Sequence, residues 1–190
     1  RYGAYTGYAE STLEGGTQSV YQITLCSTDY FLLLQYNAVG KVGDLHIYQK
    51  AAGRLTYVST YQHTHLWAKV IEYSGKLYIA DTKNNRIVII NGVGEPTQNV
   101  KIVNSFVNNG NVDTFNSPSG IFVDDNENLF ISDTNNARII KLSAQGDLLQ
   151  IVYSPENEIL QEDFVFKPTK LVVDAYNQIY AISNGYNAGL

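Results

Sequence analysis

A segment of about fifty residues recurs along this sequence, and this recurrence limits the fold more than any other feature. The copies occupy residues 66–106, 115–152 and, for the first half only, 166–190. Asp81 and Asp133 lie 52 positions apart. Arg86 and Arg138 are separated by the same 52 positions, and Asn184 follows Asp133 by 51. Each full copy contains four short apolar runs separated by turn residues, the pattern of four β-strands in one propeller blade.

We therefore expect an all-β protein, a β-propeller of four-stranded antiparallel blades, about four in this chain with the last incomplete. The blades are expected at about residues 19–62, 63–107, 115–153 and 164–190, the last of them partial. Residues 1–18 match no repeat and are predicted to form an N-terminal arm or a closing strand. An incomplete set of blades does not close a ring. Either the arm supplies the missing strands or, as the alignment of residues 188–190 with a third strand favours, the polypeptide continues past Leu190.

The second and third copies give the clearest strand pattern. Their first strands are nearly continuous apolar runs, which is typical of strands packed on both faces. In the second blade we predict an outer strand over residues 100–107, followed by a connecting loop at 108–118. In the last unit we predict strands at 169–173 and 178–183.

Two segments resemble NHL repeats: GKLYIADTKNNRIVII at residues 75–90 and SPSGIFVDDNENLFISDTNNARIIKL at residues 117–142. The family pattern is a Pro-x-Gly-hydrophobic-hydrophobic-Val-Asp strand, a turn, a Tyr-hydrophobic-hydrophobic-Asp-Thr strand and an Asn-x-Arg-Ile segment. The resemblance covers residues 66–190, although Asn184 and Gly185 stand where the last copy would have Asp-Thr. It implies a propeller, usually of about five or six blades, that serves mostly as a binding platform. Some relatives of similar architecture are lyases acting on amidated-peptide precursors, lactonases of the regucalcin type, or strictosidine-synthase-like proteins.

Charge and composition exclude several partners. The net charge is −5, the pI is near 5.1, and the 13 Lys and Arg residues are scattered, so we expect no nucleic-acid binding. The sequence contains no apolar run of about 20 residues, so we expect no membrane insertion. Cys26 is the single cysteine, so no disulfide forms within the chain. Without an initial Met or a signal peptide, we expect a processed or excised chain from a secreted or cell-surface protein.

Antiparallel topology gathers two kinds of connection at one end of such a ring: the turns from second to third strand, and the links between blades. That end is rich in Asn, His and aromatic residues, so it is the predicted ligand-binding face. The candidate residues are His63, His65, Trp67, Asn84, Asn85, Asn135, Asn136 and Tyr186. Amide groups and the 15 Tyr of the chain suit polar recognition, so the expected partner is a protein or a glycan.

The repeated Asp-Thr-x-Asn-x-Arg motif is interpreted as structural. Asp81 and Asp133 are predicted to accept backbone N–H bonds within their turns. Arg86 and Arg138 are predicted to bridge carboxylates between neighbouring blades. The motif recurs in successive blades, whereas a catalytic constellation occurs once, and this favours a structural role.

His63 and His65 are weak candidates for metal ligands. In an extended segment the i, i+2 spacing places both imidazoles on one side, but no third ligand is evident and His46 lies in the middle of a predicted strand. We therefore predict no cofactor and assign no catalytic residue. Ca²⁺ or Zn²⁺ is retained for the alternative in which carboxylate and amide oxygens hold a divalent cation at the central channel.

Three functional readings follow. The sequence favours a non-enzymatic propeller that acts as a binding or assembly scaffold for protein or glycan at the cell surface or outside the cell. The alternative is a divalent-metal-dependent lactonase or lyase of the propeller type, so enzymatic activity stays open. The absence of a unique catalytic set favours a protein without enzymatic activity. The third reading is self-association through the incomplete last blade, because an unpaired strand edge invites pairing.

Overall fold

The structure is a computed structural model that describes residues 19–25, 30–37, 42–51, 54–63, 68–91, 99–156 and 164–185. Within these ranges the regular elements are β-strands and two single-turn 3-10 helices. Three sheets have four antiparallel strands each, in which every strand pairs with the next one along the chain. The predicted β-propeller fold is therefore confirmed. The predicted arm at residues 1–18 lies outside the described residues.

The first sheet contains the longest strands. Its members are β1 (Ser19–Leu25), β2 (Tyr30–Asn37), β3 (Val42–Ala51) and β4 (Arg54–His63). Tyr, Val, Ile, Thr and Leu dominate them, residue types that favour pleated strands with covered faces. A register shift between Ile47 and Tyr48 marks an irregularity where β3 pairs with β4.

The second sheet has two central strands that are almost completely buried. Its members are β5 (Ala68–Tyr73), β6 (Lys76–Asp81), β7 (Arg86–Asn91) and β8 (Asn99–Val103). Ser74 and Gly75, with φ of 53° and 74°, form the tight turn between β5 and β6. Such left-handed pairs match the twist of antiparallel strands.

A separate hairpin follows the second sheet. It consists of β9 (Ser105–Asn108) and β10 (Asn111–Thr114), with Val107 paired to Val112. The prediction of one outer strand over 100–107 and a loop at 108–118 was therefore wrong. Asn109 and Gly110 adopt φ of 49° and 80°, and an Asn-Gly pair between apolar residues strongly favours such a two-residue turn.

The third sheet and the last hairpin repeat the inner part of the second sheet. The third sheet contains β11 (Pro118–Val123), β12 (Leu129–Asp133), β13 (Arg138–Leu142) and β14 (Leu148–Val152). The last hairpin contains β15 (Pro168–Val173) and β16 (Ile179–Ser183). β11 contacts β5 and β6 on one side and β15 on the other, so the first strands of successive blades are neighbours.

Two apolar clusters hold the blades together. Between the second and third sheets, Tyr78, Ile87 and Ile89 pack with Ile121, Ile131 and other residues of the facing sheet. Between the third sheet and the last hairpin, the cluster contains Phe130, Ile139, Phe166 and Leu171. Burial between stacked faces is therefore the main stabilising term. Among the described residues, no helix is long and apolar enough to cross a membrane.

Candidate functional site

Turns and chain entries meet at one end of the sheets. We call this the turn-motif end and define it by residues 82–85, 115–117, 134–137 and 164–167. It is the described part of the predicted ligand-binding face. The opposite end is formed by the turns at residues 74–75, 124–128, 143–147 and 174–178.

In the second blade the repeated motif forms a closed cluster around one buried carboxylate. Asp81 is fully buried at the end of β6, and Asn84 donates to both its oxygens at 3.0 and 2.9 Å. Arg86 Nε donates to Asp81 Oδ2 at 2.8 Å. Asn85, with φ of 51°, reverses the chain so that Arg86 pairs across from Asp81. The carboxylate does not cap its own 3-10 helix, contrary to the prediction.

The third blade repeats this cluster. Asn136 Nδ2 and Arg138 Nε donate to Asp133 Oδ2 at 2.9 and 2.8 Å. The other oxygen of Asp133 accepts the backbone N–H of Asn116 at 2.7 Å, a group in the entry to β11 and not in the turn. Asp133 therefore joins the start of the first strand to the end of the second. Ala137 takes the left-handed conformation that Asn85 takes one repeat earlier.

Arg138 also holds a second carboxylate, from the preceding hairpin. Its Nη1 donates to Asp113 Oδ2 at 2.7 Å and its Nη2 donates to Asp113 Oδ1 at 2.9 Å. This two-pronged contact lowers the pKa of Asp113 to about 2 from 3.8, with burial opposing it and Asn108 and the Thr114 amide assisting. Asp113 in turn raises the pKa of Arg138. The prediction was a bridge between carboxylates of neighbouring blades, whereas Arg138 joins Asp133 of its own blade to Asp113 of the hairpin that precedes it.

Arg86 differs from Arg138 at the same motif position. Its side chain is 13% exposed, yet its Nη2 is buried and has no hydrogen-bond partner among the described residues. The sequence has no Asp or Glu between Leu45 and Ile71, the stretch that leads into the second blade. The preceding segment therefore offers no counterpart of Asp113. Among the described residues, the Arg86 guanidinium pairs with one carboxylate, that of Asp81.

Of the two exposed asparagines, Asn85 ties the second blade to the third, and Asn135 holds the entry to the third blade. Asn85 Oδ1 accepts the backbone N–H of Ser117 at 2.7 Å. Asn135 Nδ2 donates to Ser117 Oγ at 2.9 Å and to Asn116 Oδ1 at 3.3 Å. Of the predicted ligand-binding asparagines, Asn84 and Asn136 are thus engaged with buried carboxylates. Asn85 and Asn135 remain exposed around Ser117.

A pair of hydroxyls ties the third blade to the last hairpin. Thr134 Oγ1 donates to the carbonyl of Pro168 at 2.7 Å. Ser119 Oγ lies 2.5 Å from Thr134 Oγ1 and 3.2 Å from the carbonyl of Thr169. Gly120 permits this approach, because a Cβ atom there would lie 2.6 Å from the Thr169 oxygen. The repeat pattern alone did not indicate these contacts.

The remaining predicted site residues are only partly described. His63 is the last residue of β4, whereas His65, Trp67 and Tyr186 lie outside the described residues. Over the described ranges, no three or more His, Cys, Asp or Glu side chains group together to hold a metal ion. The oxygens of Ser119, Thr134 and Asn116 bond to protein groups instead. The described residues therefore do not by themselves fit a bound Ca²⁺ or Zn²⁺.

A groove of about 410 Å³ lies away from the turn-motif end, at the outer rim. It runs between the β9–β10 hairpin and the turn that precedes β14. Phe106, Val107 and Val112 line one side, and Gly146, Asp147 and Leu148 line the other. Val107 and Val112 are 61% and 76% exposed, so this rim presents apolar surface.

No family model matches this sequence, and no curated protein matches it. Solved structures do match in fold. A catalytically inactive variant of virginiamycin B lyase from Staphylococcus aureus, solved with quinupristin, has a TM-score of 0.62 at 14% identity and covers 90% of this chain. A protein of unknown function from Desulfotomaculum acetoxidans has a TM-score of 0.58 at 13% identity over 87% of this chain. The calcium-binding regucalcin of Agrobacterium tumefaciens has a TM-score of 0.50 at 13% identity over 80%.

The chain spans about half the length of these solved structures. The matched part is 51% of the lyase, 49% of the Desulfotomaculum protein and 48% of regucalcin. At such low identity the likeness shows the fold, a β-propeller, and leaves residue roles to be argued from this chain.

Proposed function

We propose that this chain forms part of an NHL-type propeller enzyme of lyase or lactonase type, with its ligand site at the turn-motif end. The scaffold reading favoured by the sequence becomes the second candidate. Two of the similar folds are a lyase and a calcium-binding protein, and both fit the enzymatic alternative better than a scaffold. Similarity of fold does not assign a role to any residue, so the proposal rests on the contacts of the site residues.

The observation that carries the proposal is the hydrogen bonding of Ser117. Its Oγ accepts a hydrogen bond from Asn135 Nδ2, and its backbone N–H donates to Asn85 Oδ1. Neither of these contacts uses the hydroxyl proton of Ser117. Ser117 is half-buried and lies beside the exposed Asn135. A hydroxyl held in this way is a ready donor for the oxygen of a bound ligand.

Both reaction classes develop negative charge on an oxygen, at the leaving oxygen in an elimination or at the ring carbonyl in lactone opening. Fixed donors aimed at such an oxygen lower the barrier because they do not have to reorganise. The buried pair of Asp133 and Arg138 fixes the turn that carries Asn135. The described residues supply binding and orientation, and we assign no step to a metal, because they do not form a complete set of ligands.

The test is turnover with and without added divalent cations. The purified chain is assayed against simple lactones and against quinupristin, and its metal content is measured. We expect opening of at least one substrate, and about a tenfold loss in kcat/KM for Ser117→Ala, the effect of one lost hydrogen bond. Asn126→Ala, at the opposite end, is the control and should keep full activity. No turnover of any substrate, together with no bound divalent cation, would overturn the proposal.

The second candidate is a scaffold that binds protein or glycan at the cell surface or outside the cell. The apolar rim at Val107 and Val112 favours it, because exposed apolar surface of this kind suits a protein partner. A glycan array and a binding assay with candidate extracellular proteins distinguish the scaffold from the enzyme. Binding lost in Val112→Asp and retained in Ser117→Ala would support the scaffold.

A further inference from the structure

A small cavity lies between the second and third sheets, at the end opposite the turn-motif end. Tyr78, Ile89 and Asn91 of the second sheet lie on one wall, and Glu127 and Leu129 lie on the other. The volume is about 90 Å³, far below the roughly 300–1,000 Å³ of pockets for drug-sized ligands. We call this cavity the interblade pocket. It has room for one small molecule or for about three waters.

The strand register gathers the polar residues of the second sheet on one face. Tyr78 pairs with Ile89 across β6 and β7, and Ile89 pairs with Lys101 of β8. Lys76 pairs with Asn91, two residues further along each strand. Side chains that are opposite each other or two residues apart share a face, so these five side chains point to the same side. Lys76 and Lys101 also line the interblade pocket.

Two polar groups of the pocket are buried without a partner. Tyr78 is 3% exposed, and its hydroxyl makes no hydrogen bond to any residue that the structure describes. Asn91 Oδ1 is buried and likewise has no partner within the described ranges. Burial and the charge of Glu127 raise the pKa of Tyr78 to about 12, so the hydroxyl keeps its proton at neutral pH. Buried polar groups are normally hydrogen-bonded, so both groups require a partner inside the pocket.

The charged groups around the pocket are held in place by protein contacts. Lys76 Nζ donates to Glu127 Oε2. The backbone N–H of Glu127 donates to the Asp124 carbonyl at 2.9 Å, which closes the turn that carries Glu127. Lys101 Nζ donates to the Gln145 carbonyl at 3.1 Å. The pocket therefore presents two ammonium groups and one carboxylate in fixed positions, the arrangement that a binding site needs.

The third blade does not repeat this arrangement. In the register position of Tyr78 it has Phe130, with Lys141 Nζ at 4.6 Å from the ring centroid. In the position of Asn91, 52 residues later, it has Ser143, whose hydroxyl oxygen accepts two backbone N–H groups of its own turn. The polar pocket thus occurs once in the described chain, whereas the structural motif recurs in both blades. A feature that a repeat does not need for its packing favours a ligand.

We infer that the interblade pocket binds a small α-amino acid in its zwitterionic form, of the size of glycine, alanine or serine. The ammonium group of the amino acid donates to Asn91 Oδ1 and to the Glu127 carboxylate. Its carboxylate accepts from the Lys101 ammonium group and from the Tyr78 hydroxyl, and a short side chain lies against Ile89. Each unpartnered group of the pocket then has a partner, and each charge of the ligand meets an opposite charge.

The experiment is a titration of the isotopically labelled full chain with L-alanine, followed by NMR of the backbone amides. Lactate and ethylamine are the comparison probes, because lactate lacks the ammonium group and ethylamine lacks the carboxylate. We expect saturable changes with alanine at Glu127 and Gln145 and none at Ser117. Lactate and ethylamine should bind at least about tenfold more weakly, because each loses charged hydrogen bonds. The pocket lies away from Ser117, so the result does not depend on the proposed function.

Two variants test the unpartnered groups. Tyr78→Phe and Asn91→Ser should each weaken alanine binding by about tenfold, the effect of one lost hydrogen bond. Each substitution introduces the residue type that the third blade has in the same position, so the fold is kept, and circular dichroism checks this. Tyr73→Phe is the matched control. The Tyr73 hydroxyl donates to Asp125 Oδ1 at 3.2 Å outside the pocket, so its loss should leave alanine binding unchanged.

Three outcomes would overturn the inference. Alanine that gives no saturable change would mean that the pocket holds water only. Equal binding of lactate or ethylamine would mean that the pocket does not recognise a zwitterion. Alanine binding that is unaffected by both Tyr78→Phe and Asn91→Ser would place the amino acid elsewhere on the chain.

Discussion

Arg138 holds the carboxylate of Asp113 through two hydrogen bonds, Nη1 to Oδ2 at 2.7 Å and Nη2 to Oδ1 at 2.9 Å, while its Nε holds Asp133. Arg138 is buried, so its charge depends on these two carboxylates for compensation. The relationship joins a hairpin that occurs once in the described chain to a motif that recurs. Several measurable consequences follow from this contact and from the blade contacts around it.

Replacing Asp113 by Asn should destabilise the fold. The neutral amide keeps the shape but removes the charge that compensates Arg138, and we expect a loss of about 1.5 to 3 kcal/mol in the free energy of unfolding. Urea unfolding followed by circular dichroism measures it. Asp147→Asn, an exposed carboxylate near the opposite end, is the control and should change stability by less than about 0.5 kcal/mol. Equal effects of the two variants would contradict this role of Asp113.

The same pair predicts a dependence on pH. The pKa of Asp113 is about 2 in the folded chain, below its ordinary 3.8. Its contribution to stability is therefore fully present above the ordinary pKa and is lost as the pH falls towards 2. The stability difference between the unchanged chain and Asp113→Asn should be constant near neutral pH and should shrink in acid. A difference that persists down to about pH 2 would be inconsistent with the lowered pKa.

The two motif arginines should respond differently to substitution by lysine. Arg138→Lys removes the two-pronged contact with Asp113 and should cost about 2 kcal/mol. Arg86→Lys removes one hydrogen bond and also a buried Nη2 that has no partner, so it should cost about 1 kcal/mol or less. Thermal and urea unfolding of both variants, run in parallel, give the comparison. A larger cost at Arg86 would mean that Arg86 is compensated in solution by a further anion.

Gly120→Ala should loosen the contact between the third blade and the last hairpin. The added Cβ would lie 2.6 Å from the Thr169 carbonyl and 2.8 Å from Ser132 Oγ. We expect a loss of about 1 to 3 kcal/mol from this overpacking. Adding Ser132→Ala should restore only part of the loss, because the backbone carbonyl remains. If Ser132→Ala restored the whole free energy of unfolding, the clash would lie with the Ser132 side chain and not with the Thr169 carbonyl.

The sequence predicts the blades well because the pattern of strands that stack on one another recurs about every fifty residues. Asp81 and Asp133 recur at 52 positions, and the nearly continuous burial of β6 and β12 follows the same spacing. A repeat of this kind specifies which faces must be covered. The assignment of the motif to internal structure rested on that recurrence. In the structure both carboxylates are fully buried, and each bonds to an Asn and an Arg of its own motif.

Asn109-Gly110 between Val107 and Val112 is a local signal for the β9–β10 hairpin, and the prediction of one outer strand followed by a loop did not use it. The contact of Asp113 with Arg138 could not be predicted from the repeat, because the β9–β10 hairpin has no copy elsewhere in the described chain. The approach of Ser119 to Thr169 depends on how closely two blades stack, which no spacing reveals. His65, Trp67 and Tyr186 remain predictions.

The most direct test of the account is the location at which a ligand binds. Backbone amide signals of the isotopically labelled chain are followed by NMR during titration with a lactone or with quinupristin. The account predicts the largest changes at Ser117 and Asn135, whose amides bond to Asn85 and Asn116, and none at Asn126 or Gly146 at the opposite end. Changes confined to the opposite end or to the rim at Val107 and Val112 would contradict a site at the turn-motif end.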